Sequence, residues 1–190
     1  MEDVLKDWKK LSLTDTEGAK VSLKKSKNLF KGEHVLVAKF MTRRALNVEA
    51  IGRTFNPSWR ARSDFKIREA GDHTLLFVFE LEIDAERVLA TEPCSFDKHI
   101  VIFTRYDFSI PTRNLSFTTT TFWVQIHGLP MSILGPEIAM GIGETIGTVS
   151  LSEHYNEMVG GDFLRVRVEV NVTKPLCRGR KIAINNTDIS

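Results

Sequence analysis

Cysteine is scarce in this chain. Cys94 and Cys177 are the two cysteines among its 190 residues, too few for a disulfide scaffold, a zinc finger or an iron–sulfur cluster. A large excess of charge of one sign is missing as well. The 26 basic and 24 acidic residues leave a net charge of +2, which excludes a protein that coats nucleic acid by overall positive charge. A hydrophobic content of 42% is enough for a buried core, so the composition also excludes wholesale disorder.

Long apolar segments are absent from the sequence. No run approaches the roughly 18 apolar residues of a membrane-spanning helix, and the N-terminal MEDVLKDWKK lacks the apolar region of a secretory signal. We therefore expect an intracellular protein, in the nucleus or the cytoplasm, with no membrane partner. One basic cluster is either a nuclear-import signal or a solvated linker. It comprises Lys24, Lys25, Lys27 and Lys31.

Recognisable catalytic motifs are also lacking. The five histidines are scattered without metal-ligand spacing such as HExxH, and the phosphate loop GxxxxGKS/T does not occur. Cys94 has no base nearby in the sequence, which favours a buried thiol over a nucleophile. Gly141, Gly143 and Gly147 fall within or after a helical pattern, so close helix packing and a C-cap explain them better than a phosphate site does. We expect no enzymatic activity, no catalytic residues, no metal and no cofactor.

Hydrophobic periodicity predicts an α+β protein in two parts. Residues 34–107 show the order βαββαβ, beginning with the apolar strand His34–Met41. Residues 118–182 predict a second, partial βαββ unit, and both units are expected to have antiparallel sheets with helices on one face. Residues 1–33 are predicted as an N-terminal helix, which docks on the rest through Trp8 and Leu11, and a basic linker. Residues 183–190 are predicted as a tail.

The same periodicity gives expectations for two pairs of aromatic residues, Phe122 with Trp123 and Phe77 with Phe79. Leu164–Val172 alternate strictly between apolar and polar residues, as in a strand with one buried face. Phe122 and Trp123 are expected to build the core of this second unit with the valines of that strand. Phe77 and Phe79, on the third strand of the first unit, either stack on bases or pack in the core.

Basic residues are concentrated in two stretches that flank an acidic one. Lys39–Arg68 contains eight basic residues against two acidic, and Arg165–Lys181 contains six against one. Most are arginines, whose planar guanidinium suits phosphate. They form either a phosphate-binding surface or solvated faces that pair with the acidic stretch Asp72–Asp97. The candidate nucleic-acid-binding residues are Arg43, Arg44, Arg60, Arg62, Arg165, Arg167, Lys174, Arg178 and Arg180.

The most specific motif is FWVQIHGLP, at Phe122–Pro130. It follows Trp59-Arg60, the ERVL segment that begins at Glu86 and the SFD segment that begins at Ser95. The segments LRVRV, from Leu164, and KPL, from Lys174, come after it. With these motifs the chain resembles, over about residues 34–182, the plant domain of unknown function 4283 family. That family occurs in the first open reading frames of plant LINE-type retrotransposons and in genes derived from them.

The resemblance implies an RNA-recognition-motif-like fold in a gag-like protein that binds nucleic acid, and the βαββαβ order agrees with this fold. Family members usually continue into a CCHC zinc knuckle, and no knuckle occurs up to Ser190. They usually have tryptophan in a Pro-Trp-Ser-Phe pattern where this chain has Cys94.

Two functions stay open at this point. The first is binding of single-stranded RNA or DNA, RNA being favoured, mainly through arginine–phosphate contacts. The alternative is a domesticated protein-interaction or regulatory module, which contacts a protein partner or a second copy through the acidic stretch or an unpaired sheet edge. Exposed aromatic or basic side chains on a sheet face would favour nucleic acid, and an exposed apolar patch would favour a protein partner.

Overall fold

The computed structural model describes residues 32–150, 159–184 and 187–189. These residues belong to one compact unit, Gly32–Ser190. The predicted N-terminal helix, its docking through Trp8 and Leu11 and the basic cluster Lys24–Lys31 lie outside the described residues. Within the part that the structure describes, no helix is long and apolar enough to cross a membrane.

The first half is an antiparallel sheet of five strands with two helices. The strands are β1 His34–Phe40, β2 Lys66–Glu69, β3 Thr74–Phe79, β4 Cys94–Phe96 and β5 His99–Arg105. Helix α1, Val48–Trp59, connects β1 to β2, and helix α2, Glu82–Ala90, connects β3 to β4. The strand order is β2-β3-β1-β5-β4. The predicted α+β class and βαββαβ order are therefore confirmed, and β4 is an additional short strand that forms a hairpin with β5.

The core of this half lies between the sheet and the two helices. Helix α1 begins where the Asn47 side chain accepts a hydrogen bond from the Ala50 amide at 3.0 Å, which satisfies an N-terminal donor. Phe55 and Trp59, one turn apart, stack with ring centroids 4.5 Å apart and are both buried. Phe77 and Phe79 are buried in the same core. Core packing, rather than base stacking, is thus their role.

The second half is a smaller antiparallel sheet. Its strands are β6 Thr119–Ile126, β7 Thr148–Val149, β8 Val159–Gly160 and β9 Phe163–Asn171. Helix α3, Pro136–Glu144, connects β6 to β7. The order is β6-β9-β7, and β8 also pairs with β9. This arrangement confirms the predicted partial βαββ unit.

Helix α3 packs on the inner face of this sheet through glycine. A Cβ at Gly143 would lie 2.8 Å from Val149 Cγ2, and one at Gly147 would overlap the carbonyl oxygen of Glu169. Both positions therefore allow an approach that a larger residue would block. The prediction of close helix packing is confirmed for Gly143. It is wrong for Gly141, where a Cβ would meet no atom within 4 Å. Gly147 lies after the helix, and the C-cap is Thr145 rather than a glycine.

The C-terminal residues form a hairpin. Strands β10, Ile182–Ile184, and β11, Thr187–Ile189, pair antiparallel. Ile182 packs against the core of the second sheet. The segment predicted as a tail, residues 183–190, thus contains β11 and most of β10.

Candidate nucleic-acid interface

The sheet face where an RNA-recognition motif stacks bases is buried in this protein. Such a motif uses aromatic side chains of its central strands, on the face turned away from the helices. Here the corresponding positions include Val35, Val37, Val78 and Ile102, each at most 5% exposed. Residues 112–117 of the linker between the two sheets line a cavity with Lys39, at one end of this face. This face therefore does not offer a stacking platform.

A different surface has the side chains that stacking requires. Odd-numbered residues of β6 and β9 share the side of the second sheet that faces away from α3, because side chains alternate along a strand. The register agrees, since Gln125 lies opposite Arg165. Arg167 lies on the same side, opposite Trp123, where it donates to the Leu89 carbonyl. Five side chains toward the other end of that side are called the outer face below. They are Trp123, Gln125, His127, Phe163 and Arg165.

Aromatic rings and a cation interleave on the outer face. The indole of Trp123 is 38% exposed, and the guanidinium carbon of Arg165 lies 5.1 Å from its centroid. The rings of His127 and Phe163 are 5.1 Å apart at an angle of 33°. His127 Nε2 and Gln125 Oε1 lie at hydrogen-bonding distance, 3.2 Å. The outer face thus combines two aromatic platforms with positive charge.

The expected burial of Trp123 is wrong. The inward residues of β6 are Phe122, Val124 and Ile126, which pack on the second core, so strand alternation turns Trp123 to the opposite side. The prediction for Phe122 is confirmed. The same alternation places Arg165 on the solvent-facing side of β9. Applied to β6, with the two strands aligned in register, it would also have predicted that Trp123 is exposed.

A groove opens along the edge of β6, next to the outer face. It has a volume of about 310 Å³. Its walls are Val124–His127, the end of α3 with the turn that follows, and the segment Cys177–Ile182. Arg180 fixes this segment because its Nη2 donates to the Thr145 carbonyl at 2.7 Å. Arg178 and Arg180 therefore lie beside Gln125 and His127, and Arg165 lies across the strand pair from Gln125.

Arg167 occupies a different environment from Arg165. It is half-buried, and its Nη2 donates to the Leu89 carbonyl, near the end of α2, at 2.8 Å. Its Nε is buried without a hydrogen-bond partner. Glu92 is buried beside it, and burial raises the pKa of the Glu92 carboxyl, which Thr120, Thr121 and Arg167 partly oppose. Arg167 thus connects the two sheets.

The arginines of the first basic stretch do not form one cluster. Arg43 and Arg44 precede α1, whereas Arg60 and Arg62 follow its last residue. A helix of 12 residues is about 18 Å long, so the two pairs lie at opposite ends of it. Arg44 is paired with Asp97 at 2.6 Å. The side chains of all four are exposed.

The loop that holds Arg60 and Arg62 is anchored by Asp84. The Asp84 carboxylate is buried and accepts from the Arg62 amide at 3.0 Å and the Ser63 amide at 3.2 Å. Arg87 Nη1 lies 3.9 Å from the same carboxylate and donates to the Arg60 carbonyl at 2.7 Å. This acidic residue thus has a structural role at the start of α2.

Lys174 is exposed in the turn after β9, at the opposite end of that strand from Phe163. The structure therefore brings together Arg165, Arg178 and Arg180, whereas Arg43 with Arg44, Arg60 with Arg62, and Lys174 lie elsewhere.

The described residues contain no group of three or more His, Cys, Asp or Glu side chains that could hold a metal ion. Cys94 is buried against the core of the first sheet, and burial raises the pKa of its thiol. A protonated, inaccessible thiol is a poor nucleophile, in agreement with the structural role favoured from the sequence.

Comparison with known proteins gives one family. No curated protein and no solved structure shows significant similarity to this chain. Residues 31–112, which include the five-stranded sheet and both of its helices, match the family described as Domain of unknown function (DUF4283). The outer face and the groove lie beyond the matched residues. The protein therefore contains a DUF4283 domain, followed in the chain by the second sheet.

Proposed function

We propose that the protein binds single-stranded nucleic acid, RNA in particular, through the outer face of the second sheet. The observation that carries the proposal is the exposed indole of Trp123 with the Arg165 guanidinium 5.1 Å from its centroid. Proteins that bind single strands combine aromatic rings, on which bases stack, with a positively charged path for the backbone. Both parts occur on this face.

Phosphate contacts would come from the arginines nearest to the stacking rings. Arg165 is on the outer face, and Arg178 and Arg180 line the adjoining groove. One guanidinium group can donate two parallel hydrogen bonds to a phosphate, and it is weakly hydrated. The strand would then cross β6, with bases on Trp123 and on the His127–Phe163 pair. Arg43, Arg60, Arg62 and Lys174 stay candidates for additional, weaker contacts, whereas Arg44 is paired with Asp97 and Arg167 donates to the Leu89 carbonyl.

The proposed origin of the protein and its natural ligand rest on the family resemblance. The resemblance to retrotransposon first-open-reading-frame proteins supports a gag-like protein of plant retroelement origin, in which RNA is the natural ligand. We also propose that the protein acts by binding and not by catalysis, since stacking and phosphate contacts require no reacting group.

The test is fluorescence anisotropy with a labelled uridine oligonucleotide of about twelve residues, within the range of known single-strand site sizes. We expect Trp123→Ala to weaken binding by roughly tenfold, because stacking contributes about 1–3 kcal/mol per base. Trp123→Phe should retain most of the affinity. The control is Met131→Ala, which truncates another large exposed side chain outside this face.

Two results would contradict the proposal. One is equal affinity of Trp123→Ala and the unmodified protein for the oligonucleotide. The other is a preference for duplex over single strand, because a duplex does not present unstacked bases.

A protein-interaction function is the second candidate, favoured by one observation. Leu81 and Ile83, at the start of α2, are 42% and 50% exposed. They lie within the acidic stretch, next to Glu80 and Glu82. Exposed apolar side chains with a charged rim are typical of protein contacts. If Ile83→Ser abolished binding of a protein partner and left RNA binding unchanged, this surface would be assigned to protein contacts and not to RNA.

A further inference from the structure

We propose that the groove beside β6 holds one nucleotide of the bound strand, with its base inside the groove and its phosphate on Arg178. The proposal rests on the function proposed above and adds a defined subsite to it. The groove's volume, about 310 Å³, is at the lower end of the range of small-molecule sites. It suits a single heteroaromatic group rather than a longer segment of chain.

The walls of the groove offer apolar surface to a base. Val124, Ile142, Ile146 and Ile182 all line it. These side chains also pack on the core of the second sheet, so their positions are fixed before a ligand binds. A planar ring can lie against such walls without reorganising them, which limits the entropic cost of binding.

The edge of the groove can hydrogen-bond the rim of a base. Among the described strands, β6 is paired on one side alone, with β9. An edge strand leaves every second amide and carbonyl unpaired, and the end of β6 lines the groove together with the segment Cys177–Ile182. The Gln125 side chain adds a donor and an acceptor. A nucleobase has both kinds of group on its rim and is complementary to such an edge.

Positively charged side chains lie where the phosphate of a nucleotide would be if its base sat in the groove. Arg178 and Arg180 lie in the segment Cys177–Ile182, which lines the groove together with the end of β6. Arg180 is held by the Thr145 carbonyl, whereas Arg178 is exposed and makes no hydrogen bond or ion pair within the described residues. Its guanidinium is therefore available to a ligand that sits in the groove.

Two features favour a nucleotide over an extended peptide as the occupant. The groove beside β6, which the segment Cys177–Ile182 also lines, has a volume of about 310 Å³, and this suits a compact group better than an extended peptide strand. The groove also shares Gln125 and His127 with the outer face, so a single strand that stacks on the outer face has a nucleotide at the entrance of the groove.

The experiment is a titration of the full chain with uridine monophosphate, followed by amide chemical shifts in NMR. We expect saturable shifts at Val124–His127 and at Arg178–Arg180. Inorganic phosphate alone should shift the second group and leave Val124 and Ile126 unchanged. Arg178→Ala should weaken uridine monophosphate binding by about tenfold, as expected for loss of a charged hydrogen bond. Arg53→Ala, which removes an exposed arginine of α1, is the matched control.

The outcomes separate this proposal from the function on which it rests. Shifts confined to the outer face, with normal oligonucleotide binding, would overturn the groove assignment and keep the single-strand function. Groove shifts with uridine monophosphate but no oligonucleotide binding would keep a nucleotide site and remove the single-strand function. Groove shifts on adding a strand-forming peptide, and none with the nucleotide, would assign the edge of β6 to a protein partner and overturn the proposal.

Discussion

Glu92 is a buried carboxylate whose titration should affect stability. Burial raises the pKa of Glu92 in the folded protein above the ordinary value of 4.5, which holds in the unfolded chain. At any pH between the unfolded-state pKa and the folded-state pKa, the folded protein therefore binds more protons at this site than the unfolded chain does. The free energy of unfolding must then fall as the pH rises through that interval. Glu92→Gln cannot ionise and should lack this loss.

The measurement is urea denaturation of both proteins between about pH 4 and pH 8, on either side of the ordinary glutamate value. The free energy of unfolding of Glu92→Gln, minus that of the unmodified protein, should increase with pH once the pH exceeds 4.5. Taking the difference removes the titration of all other groups. A difference that stays constant across the range would show that Glu92 has the same pKa in the folded and unfolded states.

Among the secondary-structure elements, β6 shows what the sequence could and could not predict. Periodicity predicts where the strand lies. The same reasoning predicts the βαββαβ order and allows the burial of Phe77 and Phe79. The exposure of Trp123 depends on which face of β6 meets α3, and that is a property of pairing with β9. The groove depends on the path of Cys177–Ile182, which has no periodic pattern. Short-range patterns thus locate elements, whereas a site built across elements needs their register.

The close approach of Gly147, in the turn after α3, to strand β9 gives a prediction with an internal control. Gly147→Ala should destabilise the protein by about 1–3 kcal/mol, because its Cβ would overlap the Glu169 carbonyl and force a backbone shift. Gly141, within α3, has no neighbouring atom within 4 Å of the position that a Cβ would occupy, so Gly141→Ala should stabilise by about 0.5–1 kcal/mol through helix propensity. Thermal or urea unfolding measures both. Equal effects of the two substitutions would contradict the close approach at Gly147.

Across the whole molecule, charge placement decides how binding should respond to salt. The net charge is small. Arg43 with Arg44 and Arg60 with Arg62 lie at opposite ends of α1, whereas Arg165, Arg178 and Arg180 adjoin the outer face. Each phosphate neutralised on a single strand contributes about −0.7 to the slope of log affinity against log salt concentration. Three such contacts predict a slope near −2, since three times −0.7 is about −2.1.

Arg165→Ala should therefore make this slope shallower by about 0.7, because one phosphate contact is lost. Arg44→Ala should leave it unchanged, since the Arg44 guanidinium is already paired with Asp97. Anisotropy titrations with the uridine oligonucleotide at several salt concentrations measure both slopes. An equal change for the two variants would mean that the strand extends over the first sheet as well, and that the two basic stretches act as one surface although α1 separates Arg43 and Arg44 from Arg60 and Arg62.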